Sequence, residues 1–178
     1  QLDKAIPYYL QALENTELSL GKSHEDYGTA LTIISQLYSH QGEYKKALPF
    51  GIEAMENAKL YLEKSNPDYG DRFKNLGSLY ENMGQYEKAL ILFTESMENA
   101  KKYLPEAHPD YGDRLSSLGS IYTHLGQYEK ALPYYIEASE NVVEIFGKTH
   151  RYYSSSLNNI SILYSKMGQY EKALPIGL

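Results

Sequence analysis

The chain has 178 residues, 42% hydrophobic and 22% charged, the balance of a folded protein rather than a disordered one. A formal net charge of −6 gives no basic face of the kind a general nucleic-acid binder needs to attract phosphates. There is no cysteine, which excludes disulfides, thiolate metal sites and cysteine nucleophiles, and no apolar run approaches the ~20 residues that span a bilayer.

A repeat with a period of 42 residues organises the whole chain. GEYKKAL at Gly42 returns as GQYEKAL at Gly84, Gly126 and Gly168. Tyr27 returns as Tyr69, Tyr111 and Tyr153, and Tyr38 as Tyr80, Tyr122 and Tyr164. Twelve of the 19 tyrosines fall in just three slots, so the tyrosine excess is mostly architectural.

In chain order, residues 1–20 read as the trailing helix of a preceding unit, followed by units at 25–62, 67–104 and 109–146 and an incomplete one at 151–178. The opening QLDKAIPYYL matches the closing QYEKALPIGL, and it shows neither an initiator Met nor a signal-peptide pattern. Neither end is a polar cap, so the chain is expected to be a fragment of a longer protein whose ends pack on neighbouring copies.

LGKSHEDYG (Leu20 to Gly28) carries a Gly-Lys-Ser triplet like the end of a phosphate-binding loop, and FGKTHRYYS (Phe146 to Ser154) nearly copies it. The same slot reads LEKSNPDYG and LPEAHPDYG in the other copies, without Gly-Lys. A phosphate loop also needs an earlier glycine, where Thr16 and Val142 stand. The stretch is a joint between units.

After each joint comes a leading helix. Tyr69, Phe73, Leu76, Gly77 and Tyr80 form its apolar stripe. Asn66 is placed to cap it, Pro67 or Pro109 suits its first turn, and Asp68 or Asp110 complements its positive end. His24, His108 and His150 share the Asn66 slot and are read as caps rather than metal ligands. Gly42, Gly84, Gly126 and Gly168 end the leading helices.

The trailing helix follows at once, with Tyr44, Ala47, Leu48, Ile52, Met55 and Leu62 as its apolar positions over roughly 20 residues, or ~30 Å. Pro49, Pro133 and Pro175 fall in its second turn, and Ile91 replaces them in one copy. Gly77 and Gly119, with Ser35 and Ser161 in the same slot, sit mid-helix at a cost of up to ~1 kcal/mol against alanine. That cost implies a close crossing, with Ala47, Ala89, Ala131 or Ala173 facing it.

These residues resemble the tetratricopeptide repeat, through Phe73, Leu76, Gly77, Tyr80, Ala89 and Phe93, and again through Leu115, Leu118, Gly119, Tyr122, Ala131, Tyr135 and Ala138. The usual unit of that family has about 34 residues. This longer unit, with its LGKxHPDY-like joints, is similar to the kinesin-light-chain subclass. The resemblance implies an all-α, right-handed superhelical solenoid of antiparallel helix pairs. It also implies a cytoplasmic protein-interaction scaffold that binds an extended peptide on a concave groove.

By that resemblance the leading helices line the groove. They would present Thr29, Thr32, Ile33, Gln36 and His40, then Asp71, Lys74, Asn75, Ser78 and Asn82. Asp113, Ser116, Ser117, Ser120 and His124 would follow, then Ser155, Asn158, Asn159, Ile162 and Lys166. Lys74, Asn75, Asn82, Ser117, His124, Asn158, Asn159 and Lys166 are the expected peptide contacts, because amides can donate to and accept from a peptide backbone at once. Repeat by repeat the subclass pattern varies: Asn158 and Asn159 keep its asparagine pair, Asn75 follows Lys74, and Ser116 and Ser117 replace it elsewhere.

Asp71 and Asp113 beside Lys74 and Lys166 argue against a clamp for a terminal carboxylate and for a neutral or mildly basic segment. Arg72 and Arg114 stand one position off the groove and are available to pair with neighbouring acids. Asn159-Ile160-Ser161 is formally a glycosylation sequon but falls mid-helix beside the core. No nucleophile–base pair, metal cluster or paired catalytic carboxylates stands out from the repeat, so neither catalysis nor a cofactor is expected. The alternative is a structural or self-associating spacer in a larger multidomain signalling or protease-like protein.

Overall fold

The structure, a computed structural model, describes residues 2–174, with side chains from residue 4 onward. Pro175 therefore lies outside the described residues. Among those described there are nine helices and no strand: α1 (Leu2–Ser19), α2 (Glu25–His40), α3 (Tyr44–Tyr61), α4 (Pro67–Asn82), α5 (Tyr86–Tyr103), α6 (Pro109–His124), α7 (Tyr128–Phe146), α8 (Arg151–Lys166) and α9 (Tyr170–Ala173). The chain divides into two compact units, Gln1–Ser96 and Met97–Leu178. In the first, α1 packs on α2, α2 on α3 and α3 on α4; in the second, α6 packs on α7, α7 on α8 and α8 on α9. Packing in chain order is what a repeat requires, since a single helix pair cannot cover its own apolar face.

The local signals act as their chemistry dictates. Asn66 Oδ1 accepts from the Asp68 amide at 2.9 Å. His24, His108 and His150 use Nδ1 in the same way, accepting from the amides of Asp26, Asp110 and Tyr152 at 3.3, 3.2 and 3.2 Å. The three histidines are helix caps. At the other end, Gly42 and Gly84 adopt φ of 74° and 71°, a region closed to most side chains. This lets the amide of Glu43 turn back onto the Tyr38 carbonyl at 2.9 Å. Pro49 and Pro133 lie inside α3 and α7, which run on past them to Tyr61 and Phe146.

The recurring tyrosines have two structural duties. Lys46, Lys88, Lys130 and Lys172, all from the GxYxKAL motif, lie over the rings of Tyr38, Tyr80, Tyr122 and Tyr164 at 5.7, 5.1, 5.8 and 5.6 Å. Tyr27 and Tyr111 instead donate their hydroxyls to Glu53 Oε1 and Glu137 Oε1 at 2.6 and 3.0 Å. Burial first, then the glutamate bond, pushes both phenols up, Tyr111 to about 12.

The close crossing differs from the sequence expectation in one respect. An aromatic ring, not an alanine, fills the space left by the mid-helix glycine. A methyl group on Gly77 would come within 2.7 Å of Phe93 Cε1, and one on Gly119 within 2.7 Å of Tyr135. Where the leading helix carries serine, the trailing helix carries glycine: Ser35 faces Gly51, and its Oγ donates to the Ala47 carbonyl at 3.0 Å. Ser161 Oγ makes the same bond to the Ala173 carbonyl at 3.0 Å. Large against small is conserved as a pair, because a close-packed interior tolerates neither a void nor an extra ring.

The core is accordingly divided. In the first unit Phe73, Leu76 and Leu79 pack with Ala47 and Ala58, and Tyr27, Leu31 and Ala54 form a second cluster. In the second unit Ala131, Tyr135, Ile160 and Leu163 pack together.

Candidate functional site

The joints are held by a network that starts from an arginine. Arg72 is only 2% exposed, although it follows an aspartate in a stretch that reads as solvent-facing. Its Nη1 donates to Asn57 Oδ1, and its Nη2 donates to the Glu25 carbonyl at 3.1 Å and lies 3.6 Å from Asp68 Oδ2. Asn57 Nδ2 in turn donates to the Lys22 carbonyl. One asparagine thus ties α3 to the joint before α2 and to the guanidinium of α4. Gly28 makes room, since a methyl group there would overlap both the guanidinium and Asn57 Oδ1. Burial lowers the Arg72 pKa from its usual range and Asp68 opposes the shift, so the charge is retained.

The second unit holds two copies of this arrangement: Arg114, only 1% exposed, donates through Nη1 to Asn99 Oδ1 at 3.4 Å, whereas for Asn141 the arginine slot holds a serine. Asn141, only 6% exposed, donates through Nδ2 to the carbonyls of Glu106 and His108. Its Oδ1 occupies the space that a methyl on Gly112 would need. The slot of Arg72 is filled here by Ser156, whose Oγ bonds Ser139 Oγ at 3.1 Å and the Tyr153 carbonyl at 2.8 Å.

Two cavities sit at equivalent places, one in each unit. The first, of about 140 Å³, is lined by Thr29, Thr32, Ile33, Asp71 and Asn75, with Asp68 and Arg72. The second, of about 440 Å³, is lined by Asp113, Ser116, Ser155, Ser156 and Asn159, with Asn141, Phe146 and Tyr152 among the rest. Thr29, Thr32, Asp71 and Asn75 correspond, two repeats on, to Asp113, Ser116, Ser155 and Asn159.

Of the residues expected to contact a peptide, Asn75 and Asn159 line these cavities. Asn75 Oδ1 also accepts from Gln36 Nε2 at 3.1 Å, joining α4 to α2. Lys74, Asn82, Ser117, His124, Asn158 and Lys166 line neither cavity. Asn82, His124, Asn158 and Lys166 are exposed, Lys74 and Ser117 half-buried. Ser117 Oγ donates to the Asp113 carbonyl of its own helix at 3.0 Å, which occupies its proton. Sequence reasoning passed over the burial of Arg72, its partner Asn57, and Asn141 as the corresponding tie in the second unit. The signal was present: asparagine recurs at 15, 57, 99 and 141 in the trailing helices. Among the described residues no helix is long and apolar enough to cross a membrane.

Paired helices of fixed length, closed by positive-φ glycines and nested ring against glycine, define a helical-repeat protein with polar faces on its leading helices. The tetratricopeptide repeat family model matches residues 1–59, 40–102 and 114–177, and the chain belongs to that family, one of protein-interaction scaffolds. Among solved structures, a putative kinesin light chain from Podosopora anserina with nearly identical TPR-like repeats is similar at a TM-score of 0.87 and 18% identity. The match covers 99% of this chain and 83% of that one. BtubC (BKLC) from P. vanneervenii matches at 0.82 and 20% identity, over 99% of this chain and 70% of that one. A Rap protein solved in complex with Competence and Sporulation Factor matches at 0.78 and 18%, over 97% and 46%. At these identities the likeness is one of fold, and it bears out the kinesin-light-chain-like form of the repeat. No curated protein matches the chain in sequence.

Proposed function

We propose that the chain is a non-catalytic scaffold that binds extended segments of a partner protein on the polar faces of its leading helices, α2 and α4 in one unit and α6 and α8 in the other. The observation that carries this reading is the pair of cavities lined by the same repeat slots, Thr29, Thr32, Asp71 and Asn75 in one unit and Asp113, Ser116, Ser155 and Asn159 in the other. Amides and hydroxyls spaced by helix turns suit a peptide backbone, whose donors and acceptors alternate. Lys74 and Asn82 in the first unit, and Ser117, His124, Asn158 and Lys166 in the second, are further contacts on these faces. The acids at the cavities, Asp68, Asp71, Asp110 and Asp113, and the net charge of −6 favour a neutral to mildly basic segment. The fold is one in which a Rap protein has been solved with Competence and Sporulation Factor, which accords with binding a factor on such a scaffold. A cytoplasmic partner and location go with this reading.

The test is selection from a random peptide library against the parent and against a variant carrying Asn75→Ala, Asn158→Ala and Asn159→Ala. Enrichment of peptides on the parent and its loss on the variant is the expected result. Equal enrichment on both removes the assignment.

A second reading is a spacer that self-associates end to end within a larger signalling or protease-like protein. Exposed apolar side chains on α1, Tyr8 at 74% and Leu18 at 80%, favour it. Light scattering that finds a strict monomer at high concentration removes it.

A further inference from the structure

The cavity bounded by Asn141 has the shape and chemistry of a missing guanidinium. Its counterpart in the first unit holds one: Arg72 lies between Asn57 Oδ1 and the Glu25 carbonyl, against Gly28. Two repeats on, the receiving parts are kept except the carboxylate of Asp68, whose slot holds Tyr152. Asn141 stands for Asn57, Pro109 for Glu25 and Gly112 for Gly28, and Asn141 Oδ1 lies against Gly112 as Asn57 Oδ1 lies against Gly28. The arginine is replaced by Ser156, and the cavity is about 440 Å³ where its counterpart is about 140 Å³. Asn141 spends its Nδ2 on the joint carbonyls and has no hydrogen bond to Oδ1. That amide oxygen keeps its acceptor capacity for a donor from a ligand.

The rest of the wall points to the same occupant. Asp110 and Asp113 line the cavity and no lysine or arginine does. Phe146 and Tyr152, 5.6 Å apart edge to face, supply ring surface at the same wall. The exposed Arg151 lies over the Tyr152 ring at 5.3 Å, so that ring already receives a guanidinium. A planar cation with donors in a fixed fork fits an amide oxygen, a backbone carbonyl, carboxylates and a ring face together, whereas an ammonium is a point charge with a strong hydration shell.

From these parts we infer that the cavity between α6, α7 and α8 is an anchor for an arginine side chain of a bound peptide. The partner's arginine restores from outside the bond that Arg72 makes to Asn57 from within. The inference rests on the peptide-binding reading above and names the residue type that the last complete joint selects.

The probe is N-acetyl-arginine methylamide, titrated into isotope-labelled chain and followed by NMR, with the lysine and citrulline counterparts as controls. The expected result is a saturable shift of the Asn141 side-chain amide and of Ser156, with the Asn57 amide unmoved. Affinity should be about tenfold or more above that for the lysine and citrulline probes. Ser156→Arg, which supplies the chain's own guanidinium, should abolish the shift, and Asp113→Asn, on an exposed position, should weaken it about threefold or more. No saturable shift at Asn141, equal affinity for lysine, or unchanged binding in both variants overturns the inference. A library that enriches peptides without arginine while the titration fails removes the anchor and leaves the scaffold reading. A library that enriches nothing while the arginine probe binds does the reverse.

Discussion

Arg72 and Gly28 should behave as one unit in stability. Replacing Arg72 with alanine removes a side chain that is 2% exposed and withdraws donors from Asn57 Oδ1 and the Glu25 carbonyl. Hydrogen bonds to a charged group contribute about 1.5–3 kcal/mol each, and breaking a buried charged pair typically costs about 3–5 kcal/mol, so R72A is expected near that range. Asp68 is half-exposed and stays hydrated, which places the expected value toward the lower end. Gly28→Ala acts on the same space: its methyl would overlap the guanidinium and Asn57 Oδ1, a cost of about 1–3 kcal/mol against a helix gain of up to ~1 kcal/mol. In the R72A background the overlap with the guanidinium disappears and Asn57 is free to turn. The double variant should therefore lose less than the two single losses together, by about 1–3 kcal/mol, in urea unfolding followed by far-ultraviolet circular dichroism. Additivity within about 0.5 kcal/mol would refute the joint as described.

Three further outcomes follow from the geometry. His108→Ala should cost about 1 kcal/mol by removing the acceptor for the Asp110 amide, and His108→Asn, copying Asn66, should restore it; equal stability of all three in thermal melts would deny the cap. Gly77→Ala should cost about 1–3 kcal/mol in the parent and clearly less beside Phe93→Leu, because the clash is with the Phe93 ring; an unchanged cost would place the crossing elsewhere. Burial, then the bond to Glu137, holds the Tyr111 phenol at about 12, against ~10 in an unfolded chain. The unfolded chain gives up that proton first, so the stability tied to Tyr111 is whole below pH ~10 and is lost as pH rises through about 12. The stability difference between the parent and Tyr111→Phe should shrink over that window, and a constant difference would contradict the buried neutral phenol.

What the sequence disclosed and what it hid divide by the range of the interaction. Caps, glycine stops and the proline in the second turn act within one turn of backbone, so residue type and spacing suffice to read His108, Gly84 or Pro49. The lysine–tyrosine pairs were visible only as a repeat, because Tyr38 and Lys46 lie on different helices. The pairing of Arg72 with a neighbouring acid was legible and is met by Asp68, but its burial was not, because that depends on Asn57 fifteen residues back and on Gly28, a full period before Gly70. The ring at the close crossing was also hidden behind the alanines nearby. It was encoded as a trade across the copies: Ser35 with Gly51, Gly77 with Phe93, Gly119 with Tyr135. Asn75 and Asn159 reach the cavities while Lys74 and Asn158, one position earlier, do not, since one residue turns a helix by ~100°.

The most direct measurement is an amide chemical-shift map of the isotope-labelled chain with a peptide taken from the library selection. Binding on the polar faces of the leading helices predicts shifts concentrated at Thr29, Thr32, Asp71 and Asn75 and at Asp113, Ser116, Ser155 and Asn159. Shifts confined to α3 and α7, with those eight positions silent, would contradict it.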